Sequence, residues 1–242
     1  MIDVLLGALA VLLATSAGAL LVLFFRKIGK LEYSVMLAFS AGMMAFSALE
    51  MLSQSHAKGQ DIAVLSGFFV GIAMLYLSDM VLPHIHKHAL GSDMPESKKK
   101  AALIVGTIAL HNIPEGLAVA AAFADSTLLG WIVTSSMALQ DFPEGALVST
   151  PLACYGMDSK KSAGYGILSG LVEAGAAILG YVFLSSVTGF VPFALSFSAG
   201  AMAYVIFVEL MPDAFENKME RIAGLSFTVG AAVAFAISSF FS

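Results

Sequence analysis

The feature that most constrains this chain is a series of apolar segments about 20 residues long, the length that a helix needs to cross the core of a bilayer. Eight such segments lie at approximately 3–25, 33–53, 62–82, 101–123, 127–150, 164–186, 193–213 and 222–241. Hydrophobic residues form 59% of the chain and charged residues 12%, and a soluble domain cannot bury so much apolar surface. We therefore predict an all-α integral membrane protein of eight transmembrane helices, forming one transmembrane domain over residues 1–242.

The basic residues predict how the helices are oriented. All Lys and Arg residues except Lys58 fall in the connections that follow the first, third, fifth and seventh helices. Cytoplasmic connections carry the excess of Lys and Arg. We therefore expect both termini on the outer side of a plasma or bacterial inner membrane, and the longest connection, residues 83–100, in the cytoplasm. The net charge of −5 argues against a nucleic-acid partner, which would require a clustered basic face.

Two of the predicted helices contain related sequences. Leu37–Phe46 (LAFSAGMMAF) in the second helix matches Leu195–Tyr204 (LSFSAGAMAY) in the seventh at a constant offset of 158 residues. Helices five places apart in the chain order run in opposite directions. The match therefore predicts an inverted repeat of helices 1–3 and 6–8 around helices 4–5, an organisation found in many secondary transporters. A chance resemblance between small, apolar helices is the alternative.

A second pair of related sequences places ionisable residues near the middle of helices four and five. Ala109–Val119 (ALHNIPEGLAV) matches Ala138–Val148 (ALQDFPEGALV). Ionisable groups at this depth are costly and mark functional sites. Residues three and four apart share a helix face, which groups His111, Asn112 and Glu115 on helix four and Gln140, Asp141 and Glu144 on helix five. The sequence therefore predicts a polar cluster at mid-membrane.

These side chains are suitable ligands for a divalent metal ion. One imidazole with several carboxylate and amide oxygens suits zinc, manganese, iron(II) or cadmium better than copper(I), and facing glutamates could bridge two metals. Glu173, in the middle of helix six, is expected to join the cluster, or else to be a protonated packing residue. Met44 is a candidate thioether ligand, although methionine is often only an adaptable filler. An interhelical hydrogen-bond network without a metal is the alternative for the whole cluster.

The helix-four motif from His111 to Gly116 (HNIPEG), followed by Pro-Glu-Gly in helix five, resembles the ZIP (Zrt/Irt-like) metal transporters, and their short bacterial branches most. The resemblance covers the whole chain. It implies a binuclear metal site that transfers zinc toward the cytoplasm, an elevator-like sliding of the metal-carrying helices, and often a homodimer. The ligands that it implies are His111, Asn112, Glu115, Gln140, Asp141, Glu144 and Glu173, with Met44 beside them. Many members have His where this chain has Gln140.

Further candidate metal contacts lie near the ends of the helices. His84, His86 and His88 alternate in the predicted cytoplasmic connection, where they suit transient metal capture. Glu50 lies toward the outer end of its helix, whereas Glu209 and Asp213 lie toward the inner end. Asp79 is a weaker candidate of the same kind. Each of these residues has the alternative of being an ordinary solvated side chain.

The sequence therefore favours a transporter of divalent metals, zinc first, with cadmium, iron(II) and manganese as further substrates. The alternatives are an intramembrane metal-dependent hydrolase and a metal sensor. Hydrolysis is disfavoured because the chain has no His-Glu-x-x-His run, so we expect no enzyme activity and no catalytic cofactor. The expected partners are divalent metal ions, the lipid bilayer and a second copy of the chain. The single cysteine, Cys154, excludes an internal disulfide.

Overall fold

The regular structure of this chain is helical throughout the part that the computed structural model describes. That part comprises the backbone of residues 1–25, 27–89 and 96–241, and its side chains except those of 82–89, 96–105, 107–109 and 217. Its α-helices are α1 (Ile2–Leu20), α2 (Lys30–His56), α3 (Asp61–Ala89), α4 (Glu96–Asp125), α5 (Thr127–Cys154), α6 (Ser159–Ser186), α7 (Val191–Val205), α8 (Met211–Phe215) and α9 (Glu220–Phe241). A π-helical turn, Ile206–Leu210, joins α7 to α8 into one continuous segment.

The predicted all-α membrane fold is confirmed. Within the described residues, six segments have the length and hydropathy to cross a membrane: Ile2–Leu23, Lys30–His56, Asp61–Val81, Ser159–Ser186, Thr188–Phe215 and Glu220–Phe241. The remaining predicted spans correspond to α4 and α5, which carry the polar motifs and pack among these helices. The chain is a multi-pass membrane protein.

The prediction of a long loop at residues 83–100 was wrong for most of its length. Helix α3 continues to Ala89, and α4 begins at Glu96. The prediction ended each helix with its apolar run, but a helix of 29 residues is about 43 Å long and extends beyond a hydrocarbon core of about 30 Å. His84, His86 and His88 therefore lie on the last turns of α3, and their side chains are outside the described part.

The helices pack into two groups. One group, which we call the motif bundle, contains α1, α4, α5 and α6; in it α1 packs on α5 and α6, and α4 packs on the same two helices. The other group, the flanking bundle, contains α2, α3, α9 and the α7–α8 segment, with α3 on α7 and α2 on α9 and α7. The two bundles meet where α2 crosses α5 and where α7 crosses α4.

Glycine allows the helices within the motif bundle to approach backbone to backbone. A Cβ atom at Gly18 of α1 would collide with the carbonyl oxygen of Phe142 on α5, and one at Gly145 of α5 would collide with that of Thr15 on α1. Small residues permit such close packing in membranes, where dispersion contacts hold helices together. This crossing would be disrupted by any side chain larger than hydrogen.

The flanking bundle has glycine crossings of the same kind. A Cβ at Gly42 of α2 would collide with the carbonyl oxygen of Phe227 on α9, and one at Gly230 of α9 would collide with that of Phe39 on α2. Throughout the described part, every interhelical contact of this kind joins two helices of the same bundle. The boundary between the bundles is therefore packed differently from their interiors.

Candidate metal centre

The motifs of α4 and α5 bring three carboxylates together inside the motif bundle. One ligand oxygen from each of Glu115, Asp141 and Glu144 lies within 4.8 Å of the other two. Glu115 is only 2% exposed and Asp141 only 1%. Ionised carboxylates so close together, and so far from water, repel one another strongly. The group is therefore stable only with bound protons or with a cation.

Several oxygen atoms around these carboxylates have no hydrogen-bond donor within the described residues. They include both carboxylate oxygens of Glu173, which α6 places in the bundle interior with 0% exposure. Asp141 Oδ2, Glu115 Oε2 and Gln140 Oε1 also have no hydrogen-bond donor among the described residues. A buried acceptor without a partner is costly, and oxygen ligands of this kind suit hard and borderline divalent cations.

The two amide side chains of the motifs are held by hydrogen bonds from their nitrogen atoms. Gln140 Nε2 donates to Glu115 Oε1 at 3.2 Å, and Asn112 Nδ2 donates to the carbonyl oxygen of Ser169 on α6 at 3.0 Å. The Gln140 bond links the α4 and α5 motifs directly. Because the nitrogen atoms are occupied, the amides offer oxygen atoms to a cation in the cluster.

His111 lies at the boundary between the bundles and forms part of a second group of candidate ligands. Its Nε2 atom is 2.9 Å from Glu209 Oε1, and His111, Asp79 and Glu209 present ligand atoms within 4.8 Å of one another. Tyr204 donates a hydrogen bond to Asp79 Oδ2 at 2.8 Å. The π-helical turn contains Glu209, and such turns are frequent at functional sites.

A cavity of about 430 Å³ reaches residues of both groups of candidate ligands. Its wall includes His111, Asn112, Glu115, Glu144, Glu209 and Asp213, and also Tyr33 and Tyr155. Tyr33 is near the start of α2 and Tyr155 follows the end of α5. The cavity therefore opens at the end that carries Lys30, Lys160 and Lys161.

The remaining predicted residues are Glu50, Met44 and Asp79, together with the three histidines of α3, whose side chains are outside the described part. Glu50 accepts a hydrogen bond from Ser238 of α9 at 2.6 Å and belongs to neither group of ligands found in the described part. Met44 is 1% exposed and packs in the hydrophobic core. Asp79 was a weaker candidate in the sequence, and nothing in its own helix indicates that it meets His111 and Glu209.

Comparison with known proteins gives matches over most of the chain. Residues 84–238 match the family described as ZIP Zinc transporter. The chain is 33% identical to zinc transporter ZIPB of Bordetella bronchiseptica, covering 97% of this chain and 79% of that protein. It is 34% identical to zinc transporter ZupT of Akkermansia muciniphila, covering 84% of each.

A longer plant protein also matches this chain. The putative zinc transporter of Arabidopsis thaliana is 26% identical over 98% of the chain, which spans only 38% of the plant protein. The family match covers more than half of the chain, and the two bacterial relatives align with most of it. The chain belongs to the ZIP zinc transporter family.

Proposed function

We propose that this protein carries zinc across the membrane through a binuclear site formed by α4, α5 and α6. The observation that carries the proposal is the buried group of Glu115, Asp141 and Glu144, with the unpartnered oxygens of Glu173 beside it. Such a group requires bound protons or cations, and the cavity gives cations a route to it from one side of the membrane. The relatives bear the name of zinc transporters.

The proposed ligands combine the carboxylate group with the amides and the imidazole around it. Glu115 and Glu144 lie close enough to bridge two ions, an arrangement known from other two-metal sites. The remaining proposed ligands are Asp141, Glu173, Asn112, Gln140 and His111, with Met44 at the edge of the site. The single imidazole and the many oxygens allow cadmium, iron(II) and manganese as further substrates.

We propose that the metal leaves toward the cytoplasm. The cavity opens at the end of the molecule that carries most of the basic residues, and cytoplasmic segments carry that excess. Both termini are then on the outer side. The group of Asp79, His111 and Glu209 gives a departing ion its next ligands, and Asp213 lies further along the same wall. His84, His86 and His88 follow on α3, whereas Glu50 would serve the outer entrance.

The packing of the helices supports the inverted repeat. In this repeat, α1, α2 and α3 correspond to α6, the α7–α8 segment and α9, and α4 corresponds to α5. The α1–α5 pair then corresponds to α6–α4, and the α2–α9 pair to α7–α3. These four pairs are the most extensively packed in the molecule. Gly42 of α2 and Gly200 of α7, at equivalent positions, each approach the backbone of their partner helix, at Phe227 and Phe68. This symmetry favours alternating access.

Zinc uptake by purified protein in liposomes tests the function. Vesicles loaded with a zinc-sensitive dye should show saturable zinc entry with the wild type and none with Glu144→Gln, because the amide cannot supply the charge that balances the ions. Glu220→Gln makes the same chemical change at an exposed position at the start of α9 and should transport as the wild type does. Undiminished flux through Glu144→Gln would remove Glu144 from the site.

One other result would change the assignment. Folded wild-type protein that binds zinc without transporting it would indicate a sensor. The hydrolase alternative is answered by the family, whose members are transporters. The homodimer is a separate prediction, which native mass spectrometry of the detergent-solubilised protein would test.

A further inference from the structure

Ser40 and Ser198 occupy equivalent positions in the related stretches of α2 and α7 but have different environments. Ser40 Oγ donates a hydrogen bond to the backbone carbonyl oxygen of Gln140 on α5 at 3.2 Å. Ser198 is 0% exposed, yet its Oγ atom has no hydrogen-bond partner in the described part of the chain. A buried hydroxyl without a partner is unfavourable, so the present conformation does not satisfy Ser198.

The repeat identifies the partner that Ser198 lacks. The α4 and α5 motifs align His111 with Gln140, and α7 packs on α4 as α2 packs on α5. The counterpart of the Ser40 contact therefore joins Ser198 to the backbone carbonyl oxygen of His111. A carbonyl oxygen has two lone pairs, so it can accept this bond in addition to its helical hydrogen bond.

The same correspondence relates the open and closed halves of the pathway. Leu147 and Val148 of α5 line the cavity and are 9% and 2% exposed, whereas their equivalents on α4, Ala118 and Val119, do not line that cavity and are both 0% exposed. In transporters built from inverted repeats, the two repeats exchange their conformations when access changes sides. The region around Ala118 is thus the closed counterpart of the cavity.

We propose that Ser198 is a positioning residue of the conformation that opens to the opposite side. In that conformation Ser198 Oγ donates to the His111 carbonyl oxygen, and Ser40 no longer contacts Gln140. Each hydroxyl bridges the two bundles in one conformation only. The two serines together therefore determine the relative populations of the two conformations. This inference rests on the alternating access in the proposed function.

The rates at which two buried positions react with a thiol reagent test the inference. In full-length protein carrying Cys154→Ser, Leu147→Cys reports on the present cavity and Ala118→Cys on its counterpart. The purified protein in detergent is treated with a small water-soluble maleimide, which reaches both ends. Ser40→Ala should raise the labelling of the Ala118 reporter relative to the Leu147 reporter by about fivefold, the effect of one hydrogen bond. Ser198→Ala should lower the same ratio by a similar factor.

Two further variants separate this switch from a general effect of losing a hydroxyl. Ser198→Thr keeps the hydroxyl and should keep the wild-type ratio. Ser149→Ala removes a buried hydroxyl that bonds to Gly145 within its own helix, so it should also leave the ratio unchanged. If Ser198→Ala yields too little folded protein, Ser198→Thr still tests the inference. A change in its ratio of Ala118 to Leu147 labelling would contradict the proposed role.

An unchanged ratio in Ser198→Ala, or a shift in the same direction as in Ser40→Ala, would overturn the inference. The labelling needs no zinc flux, so its outcome is independent of the liposome assay. A protein that transports zinc but shows no opposite shifts would lose only the role of Ser198. A protein that shows the shifts without flux would lose the proposed function instead.

Discussion

The boundary between the two bundles differs from the interior of either bundle in how the helices touch. Inside the bundles, glycine lets one helix backbone lie directly on another, as at Gly42 and Gly145. Hydrogen bonds between helices occur inside the bundles as well, as from Tyr204 to Asp79. Across the boundary the described part has no glycine crossing, and polar contacts join the helices without one: Ser40 to the Gln140 carbonyl oxygen at 3.2 Å, His111 to Glu209 at 2.9 Å, and Lys58 to Asp125 at 2.7 Å.

This difference indicates which parts of the molecule can move. At a glycine crossing, the backbone of one helix occupies the space that a side chain would fill on the other. If one helix slides along the other, this backbone collides with the neighbouring side chains, so the crossing has a fixed register. A polar contact can instead be exchanged for an equivalent contact at small cost. We therefore infer that each bundle moves as a rigid unit and that metal transfer involves sliding at the boundary.

Filling a glycine crossing inside a bundle should have the largest effect. Gly42→Leu places a side chain against the backbone of α9 at Phe227, and overpacking of this kind costs about 1–3 kcal/mol or more. We expect a loss of folded protein or a clear fall in melting temperature in detergent. Gly175→Leu is the matched control, since no other helix comes within 4 Å of a Cβ there; equal destabilisation by both variants would contradict the role of the crossing.

Removing a candidate ligand at the boundary should have an intermediate effect. Glu209→Gln keeps the size of the side chain but removes the charge that faces His111 Nε2 at 2.9 Å. Zinc uptake into liposomes should slow about tenfold, the low end of the loss that follows when one residue supporting a metal site is changed, while equilibrium zinc binding at the carboxylate group should be retained. Loss of zinc binding together with flux would instead make Glu209 part of the main site.

Breaking the ion pair at the other end of the boundary should have the smallest effect. Lys58 is 45% exposed at its side chain and Asp125 is 8% exposed, and a pair that remains partly in water contributes roughly 0.5 kcal/mol. Lys58→Ala should therefore raise the labelling of the Ala118→Cys reporter about twofold. The effect should disappear in high salt, which screens exposed charges. A salt-independent effect would point to packing instead.

The sequence predicted the parts of the site that depend on a single helix or on matched motifs. Residue spacing grouped Glu115 on α4 and Asp141 and Glu144 on α5, and the structure brings these three together; their role as metal ligands stays a prediction. Glu173 was assigned to the cluster from its depth in the membrane alone.

The contact between His111 and Glu209 could not be predicted in this way. It joins two helices that meet only at the boundary of the bundles, and spacing within one helix carries no information about such a pair. The π-helical turn Ile206–Leu210 also changes the direction in which Glu209 points. The division into two bundles likewise depends on glycine crossings whose partners are distant in sequence.

Distances between spin labels, measured by pulsed electron paramagnetic resonance, test the rigid-bundle account most directly. Suitable exposed positions are Leu13 and Leu179 in the motif bundle, and Ile62 and Phe240 in the flanking bundle. We expect a single distance between two labels in the same bundle. For two labels in different bundles we expect two distances, whose relative populations change in Ser40→Ala and Ser198→Ala. A pair within one bundle that changes with those variants, while the distances between bundles stay constant, would contradict it.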